Sequence, residues 1–149
     1  MNFEYTMNSD EFHCRIKIKT NLLTNEEIFV VENWLMTDII DPENTIKYFS
    51  SALNKGDDYV TNWIGGNEFW WKIEKGYTLF EYQTEERFEE GKCPFKPCKI
   101  STKLLCEILE VWAVEYKKWV EEREEFMKKN PNYRPKVLGS FKDLFPWKK

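Results

Sequence analysis

The sequence holds one histidine, no Gly-rich phosphate loop, no dinucleotide fingerprint and no nucleophile motif. Each absence removes a class of function. His13 has no nucleophile motif beside it, so no triad is in view, and strand alternation turns it outward as a surface residue. No apolar run approaches the ~20 residues that span a bilayer. "MNFEYTMNSDEF" has neither a basic n-region nor an apolar h-region, so the expected place is the cytoplasm. There Cys14, Cys93, Cys98 and Cys106 would stay reduced. A basic excess is also missing: the net charge is −4. That balance argues against a nucleic-acid binder and suits a basic partner. The chain has 26 Asp and Glu residues, so a pair of carboxylates says nothing about glycosidase-like chemistry.

What is present is aromatic and charged: 17% of residues are Phe, Trp or Tyr and 32% are charged. At 149 residues the chain is one domain's length, and such a domain buries roughly 70% of the surface its unfolded chain exposes. Residues 1–149 read as a single domain with 130–149 as a tail, where Leu138, Phe141, Leu144 and Phe145 could dock a short amphipathic turn.

The elements follow from period and punctuation. "EFHCRIKIKT" (11–20) alternates Phe12, Cys14, Ile16 and Ile18 against His13, Arg15, Lys17 and Lys19, a half-buried strand with a cationic outer face. Thr24 and Glu27 form a capping box before a helix whose apolar positions are Ile28, Val31, Trp34 or Leu35, and Ile39. Asp41 caps a second helix with Pro42 at its first position and Glu43 in its first turn; Ile46, Phe49 and Leu53 line it and Gly56 ends it. From 59 to 83 the period is two. "YVTNWIGG", "EFWWKI" and "YTLFEY" read as strands. "QTEERFEEGKCPFKPC" (83–98), with two prolines, reads as a loop. Residues 100–129 give the clearest helix, capped by Ser101, with Leu105, Ile108, Leu109, Trp112, Tyr116, Trp119 and Val120 in one stripe. Glu121, Glu122, Glu124 and Glu125 mark its solvated end.

The hairpin and the acids after it carry the functional expectation. Glu74-Lys75-Gly76 suits a three-residue loop with Gly76 left-handed. That register sets Ile73 opposite Tyr77 and Trp71 opposite Leu79. It places Phe69, Trp71, Ile73, Tyr77 and Leu79 on the core face and Trp70, Lys72, Thr78, Phe80 and Tyr82 outside. A slip to a two-residue loop would mix the two sets. The outer aromatics Trp70, Phe80 and Tyr82 adjoin Glu85, Glu86, Glu89 and Glu90, countered by Arg87 alone. Aromatic anchors beside a charged rim are what a protein–protein hot spot requires. Against this stands the plainer reading of a solvated loop and a stripe covered by the chain's own helices. Cys93 and Cys98 flank "PFKP", but His13, Cys14 and Cys106 complete no zinc spacing with them.

The order of "EFHCRIKIKT", helices, "GNEFWWKIEKGYTLFEY" and "CKISTKLLCEILEVWAVEYKKWVEE" resembles the small immunity proteins of bacterial contact-dependent growth inhibition systems. The Leu105, Leu109, Trp112 rhythm carries the helical part. The same order is similar to a small bacterial family related to the YacL protein. The resemblance covers about two thirds of the chain and leaves out 130–149. It implies a protein that neutralises a cognate toxin, commonly a basic nuclease such as a tRNase, by blocking its active site. It supplies no catalytic residue, cofactor or metal. The expected fold is α+β: an antiparallel sheet of about four strands packed against helices, with a long C-terminal helix. The alternative is a small enzyme, or a metal- or nucleotide-responsive regulator, with its site near Cys93 and Cys98.

Overall fold

The computed structural model describes residues 1–133. Helix α1 (Asn25–Asp38) begins at the expected capping box: the Thr24 side chain accepts from the Glu27 amide and the Glu27 carboxylate accepts from the Thr24 amide. Helix α2 (Pro42–Asn54) begins at Asp41, whose carboxylate accepts from the Asn44 amide, and Gly56 follows its end with φ +89°. Helix α3 (Thr102–Lys129) is capped by the Ser101 hydroxyl. All three starts combine an acceptor side chain with otherwise unmet first-turn amides. No helix among the described residues is long and apolar enough to cross a membrane.

The chain is α+β. Strands β3 (Ile64–Gly65), β4 (Phe69–Glu74), β5 (Tyr77–Tyr82) and β6 (Cys98–Ser101) form an antiparallel sheet in the order β3-β4-β5-β6. A separate antiparallel pair, β1 (Glu4–Met7) and β2 (Ile16–Lys19), packs beside α1 and α3. The Ile18 amide donates to Glu32 of α1 at 2.8 Å, Tyr5 donates to Glu115 of α3 at 3.2 Å, and the Trp119 indole donates to the Asp10 carbonyl at 2.7 Å.

The core joins the helices to one face of the larger sheet. Val30, Val31, Trp34 and Leu35 of α1, Phe49 of α2, and Leu105, Ile108, Leu109 and Trp112 of α3 are buried with Phe69, Trp71, Ile73, Phe80 and Ile100 of the strands. The Trp34 ring lies 5.1 Å from Phe80, 5.6 Å from Trp71 and 6.0 Å from Phe49. The stripe read from α3 is therefore its buried face, and Tyr116, Trp119 and Val120 continue it half-buried.

Five expectations need correction. Of "YVTNWIGG" only Ile64–Gly65 is strand, with Val60 in an isolated bridge to Glu74. The 11–20 strand is shorter: the Asp10 carboxylate accepts from the amides of Phe12 and His13, which turns the chain and leaves only Ile16–Lys19 extended. Phe12 is consequently exposed. On α2, Ala52 is buried where Leu53 was expected. β6 extends "CKIS", which adjoins the helix cap and was read as loop and helix start. The hairpin loop has two residues, not three: Glu74 pairs with Tyr77, Trp71 with Phe80 and Phe69 with Tyr82. Lys75 takes φ +52° and Gly76 φ +83°, the left-handed pair that a two-residue turn requires. A left-handed lysine costs roughly 1–2 kcal/mol. Burying a phenylalanine side chain contributes roughly 1.5–3 kcal/mol, so Phe80 alone offsets the turn. The three-residue register would also turn Glu81 inward with Tyr77 and Leu79. The expected docking of Leu138, Phe141, Leu144 and Phe145 lies outside the described residues.

Asp38 ends α1 and ties it to the sheet. Its carboxylate accepts from the Glu68 and Phe69 amides at 2.9 and 3.0 Å and from the Thr37 hydroxyl at 2.8 Å. Burial nevertheless raises its pKa above the ordinary 3.8, outweighing these bonds. A carboxyl raised on folding contributes stability that is present below its unfolded pKa and lost as pH rises through its folded value. The stability of the wild type relative to Asp38→Asn should therefore decline as pH rises above the ordinary value, as followed by urea unfolding in buffers from about pH 4 to about pH 7. A gap that widens with pH contradicts the assignment. Trp112 is fully buried and its indole donates to the Ile39 carbonyl at 3.3 Å. Trp112→Ala should cost about 3–5 kcal/mol, whereas exposed Val114→Ala should stay within about 0.5 kcal/mol. Lys75→Asn creates the preferred Asn-Gly pair and should stabilise by about 1 kcal/mol; a loss of stability would speak against the two-residue turn.

Candidate protein-contact surface

The corrected register exchanges the two faces of β5. Phe80, expected outside, is 1% exposed and lies against Trp34. It is a core residue and cannot meet a partner. Thr78 also turns inward, where its hydroxyl lies 3.0 Å from that of Thr102. Tyr82 is half-buried at the margin. Its ring stacks on Phe95 at 4.5 Å and meets Phe69 edge-on at 5.4 Å, and its hydroxyl donates to Glu68 at 2.6 Å. Burial, then that bond, raises its pKa above 10.0. Tyr82 thus anchors the following loop rather than presenting a free ring.

Of the three aromatics singled out, Trp70 alone stands on the open face, 44% exposed. It is joined there by side chains that the sequence reading assigned inward or did not single out. Trp63 is 40% exposed, Tyr77 44% and Val60 47%. Val60 reaches this face through its bridge to Glu74. Leu79 lies between Lys72 of β4 and Lys99 of β6, its direct partners across the two ladders. The Lys72 ammonium stands 4.9 Å from the Trp63 ring centre and the Lys99 ammonium 4.5 Å from that of Tyr77. Both lysines therefore lie along apolar surface and hold their charge over a ring. The Trp70 ring crosses the neighbouring strand at Gly65, where an added Cβ would come within 2.6 Å of it. Gly65 leaves the room that lets this indole lie flat on the sheet.

Glu81 is the direct partner of Trp70 and shares its face. It begins the acidic run. Glu85 and Glu86 follow in a 3-10 turn (Glu85–Arg87), and Glu85, Glu86, Glu89 and Glu90 are all exposed. Among the described residues none of these four makes an ion pair. The loop is held at two points: Phe88 lies 6.0 Å from Tyr82, and Phe95 packs between Tyr82 and Phe29, 5.1 Å from the latter. The face therefore has an acidic end at Trp70 and Glu81 and two lysines at its middle, Lys72, which pairs with Glu74 at 3.8 Å, and Lys99. The Glu81 position was the missed signal: a register that buries Tyr77 and Leu79 also buries a carboxylate, which is costly without a partner.

The cysteines make a different arrangement. The four carry no disulfide. Cys98 pairs with Phe80 and so lies on the core face of β6. Burial, and secondarily the Glu27 carboxylate, push its thiol up to about 12, which leaves it protonated and unreactive near neutral pH. Cys93 is buried with its sulfur 3.6 Å from the Phe95 carbonyl. Among the described residues no group of three His, Cys, Asp or Glu side chains could hold a metal ion.

No family model, no curated protein and no solved structure matches the chain.

Proposed function

We propose that the chain is a binding protein without catalysis of its own: an immunity protein that captures a basic protein toxin, in the nuclease or tRNase class, in the cytoplasm and covers its active site. One observation carries the binding part. Val60, Trp63, Trp70 and Tyr77, all large and exposed, share one sheet face that carries no helix among the described residues and ends at Glu81 and the four exposed acids. Scattered surface apolar groups need no explanation, but a contiguous patch with a polar rim is an interaction site. Trp and Tyr are the side chains that most often dominate such contacts. The acids would steer a cationic partner toward the Trp70 end. The toxin assignment rests on the resemblance of element order and of the α3 rhythm. Nothing observed favours the enzyme or regulator reading near Cys93 and Cys98.

Two measurements test this. Production of the protein domain encoded by the neighbouring gene should arrest bacterial growth, and co-production of the chain should restore it. In binding kinetics with that domain, Trp70→Ala should mainly speed dissociation, by about tenfold or more. Reversing Glu85, Glu86, Glu89 and Glu90 to lysine should slow association and flatten its salt dependence, with the fold intact. Unchanged binding in both variants would rule out this surface. Failure of the growth rescue with binding retained would rule out the immunity role alone.

A further inference from the structure

β6 is an outer strand of the four-stranded sheet, and its free side leaves backbone groups without partners among the described residues. The Thr102 amide donates to the Gly76 carbonyl at 3.0 Å. This fixes the phase of the β5–β6 ladder, because hydrogen-bonded and non-bonded pairs alternate. Thr78–Ile100 and Phe80–Cys98 are then the bonded pairs, and the amides of Lys99 and Ser101 point away from β5. The Ser101 carbonyl begins the α3 ladder as the helix cap. The Lys99 amide, the Lys99 carbonyl and the Ser101 amide have no partner among the described residues. Some edge groups elsewhere are met, whereas the outward backbone groups of Tyr5 and Met7 on β1 have no partner among the described residues. The Ile18 amide on the outer side of β2 reaches Glu32. The outer side of β4 is covered by 59–61, with Thr61 to Ile73 at 2.8 Å and Lys75 to Tyr59 at 3.1 Å.

A groove of about 420 Å³ runs along this edge. Leu22, Leu23 and Leu104 give it apolar walls, and Lys99 and Lys103 stand at it. Two carboxylates also line it, but both are engaged: Glu27 in the α1 capping box and Glu107 with the Asn2 side chain at 3.0 Å. Among the described residues neither lysine has a carboxylate partner within ion-pair distance. Unmet strand amides, an apolar wall and two ammonium groups that form no ion pair among the described residues therefore lie together. Pro97 before the strand and α3 after it limit the usable edge to a few residues.

We infer that this edge takes an extended segment of a partner protein as an added strand, in which apolar and acidic residues alternate. Its main chain bonds to Lys99 and Ser101, its apolar side chains meet Leu22, Leu23 and Leu104, and its carboxylates meet Lys99 and Lys103. Strand addition draws affinity from main-chain bonds and specificity from alternate side chains. Two other occupants fit the charge less well. A second copy of β6 would bring two further lysines onto these two. Residues 134–149 of this chain carry five basic side chains against one acidic. The groove shares Lys99 and Tyr77 with the margin of the open sheet face, but the inference does not depend on the toxin assignment.

The probe is a blocked hexapeptide alternating glutamate and valine, titrated into the isotope-labelled full chain. The Lys99 and Ser101 amides should show the largest NMR shifts. N-methylation of every second peptide residue on the bonding side should weaken binding by about tenfold or more, because it removes main-chain donors. A lysine–valine hexapeptide should not bind. Lys99→Pro should weaken binding more than Lys99→Ala, since the lost amide points away from β5 and an outer strand tolerates proline there. The methylated peptide makes the same test without altering the protein. Equal binding of the methylated peptide would reduce the groove to a site for amphiphilic carboxylates and overturn strand addition. So would equal binding of the lysine–valine peptide, shifts centred on Trp63 and Trp70, or no shift at millimolar peptide. Self-association through β6 in place of peptide binding would also overturn it.

Discussion

The packing of Trp34 against Phe80, Trp71 and Phe49 is the contact on which the rest of the structure depends. One ring joins α1 to α2 and to both strands of the hairpin. It is fully buried, and its indole N–H has no hydrogen-bond partner among the described residues. A buried donor left unpaired costs about 1–3 kcal/mol. Burial of the ring and its edge-on contacts with Trp71 and Phe80 outweigh that cost. The same contact selects the hairpin register. With Phe80 inside, Thr78 must also point inward and Tyr77, Leu79 and Glu81 must point out, because side chains alternate along a strand.

From this follows the surface that the functional proposal uses. The helices occupy one side of the four-stranded sheet, so its other side carries whatever the register leaves there. Antiparallel sheets tolerate one wet face, and a wholly structural one would be polar. This one carries Trp63 just before β3, Trp70 on β4 opposite Gly65 and Tyr77 on β5, softened by the stems of Lys72 and Lys99. Glu81 then connects the aromatic patch to the acidic loop, which Phe88 and Phe95 hold in place. The aromatic excess of the sequence is thus divided between a core built on Trp34 and an exposed set on the sheet.

Much of this was legible in the sequence where one residue type carries one physical role. Thr24 with Glu27, Asp41 with Pro42, and Ser101 announced helix starts because capping is local. The Leu105–Trp112 stripe announced the buried face of α3 because a long helix repeats its period several times. What failed depended on tertiary contacts. The hairpin turn places a lysine at positive φ, where local preference expects Asn, Asp or Gly, so Lys75-Gly76 did not read as a two-residue turn. Phe80 and Tyr82 were consequently assigned outward and Tyr77 and Leu79 inward. β6 is four residues against a helix cap, too short for a period to show. Asp10 cut the second strand short through two side-chain bonds that alternation cannot reveal. Trp70 and the acids at 85, 86, 89 and 90 were placed outside correctly, because no register that buries Trp71 can also bury Trp70.

The central claim is that the hairpin closes on two residues, so that Phe80 faces Trp34 and the Trp63–Trp70–Tyr77 side remains open. Nuclear Overhauser contacts between α-protons test it most directly, since only non-hydrogen-bonded cross-strand pairs bring them close. The Gln83 amide bonds to the Glu68 carbonyl, which makes Trp71–Phe80 and Ile73–Thr78 such pairs. Strong α-proton contacts between Trp71 and Phe80 and between Ile73 and Thr78 are the predicted result. Contacts from Trp71 to Leu79 and from Ile73 to Tyr77 instead would return Phe80 to the outer face and contradict the account.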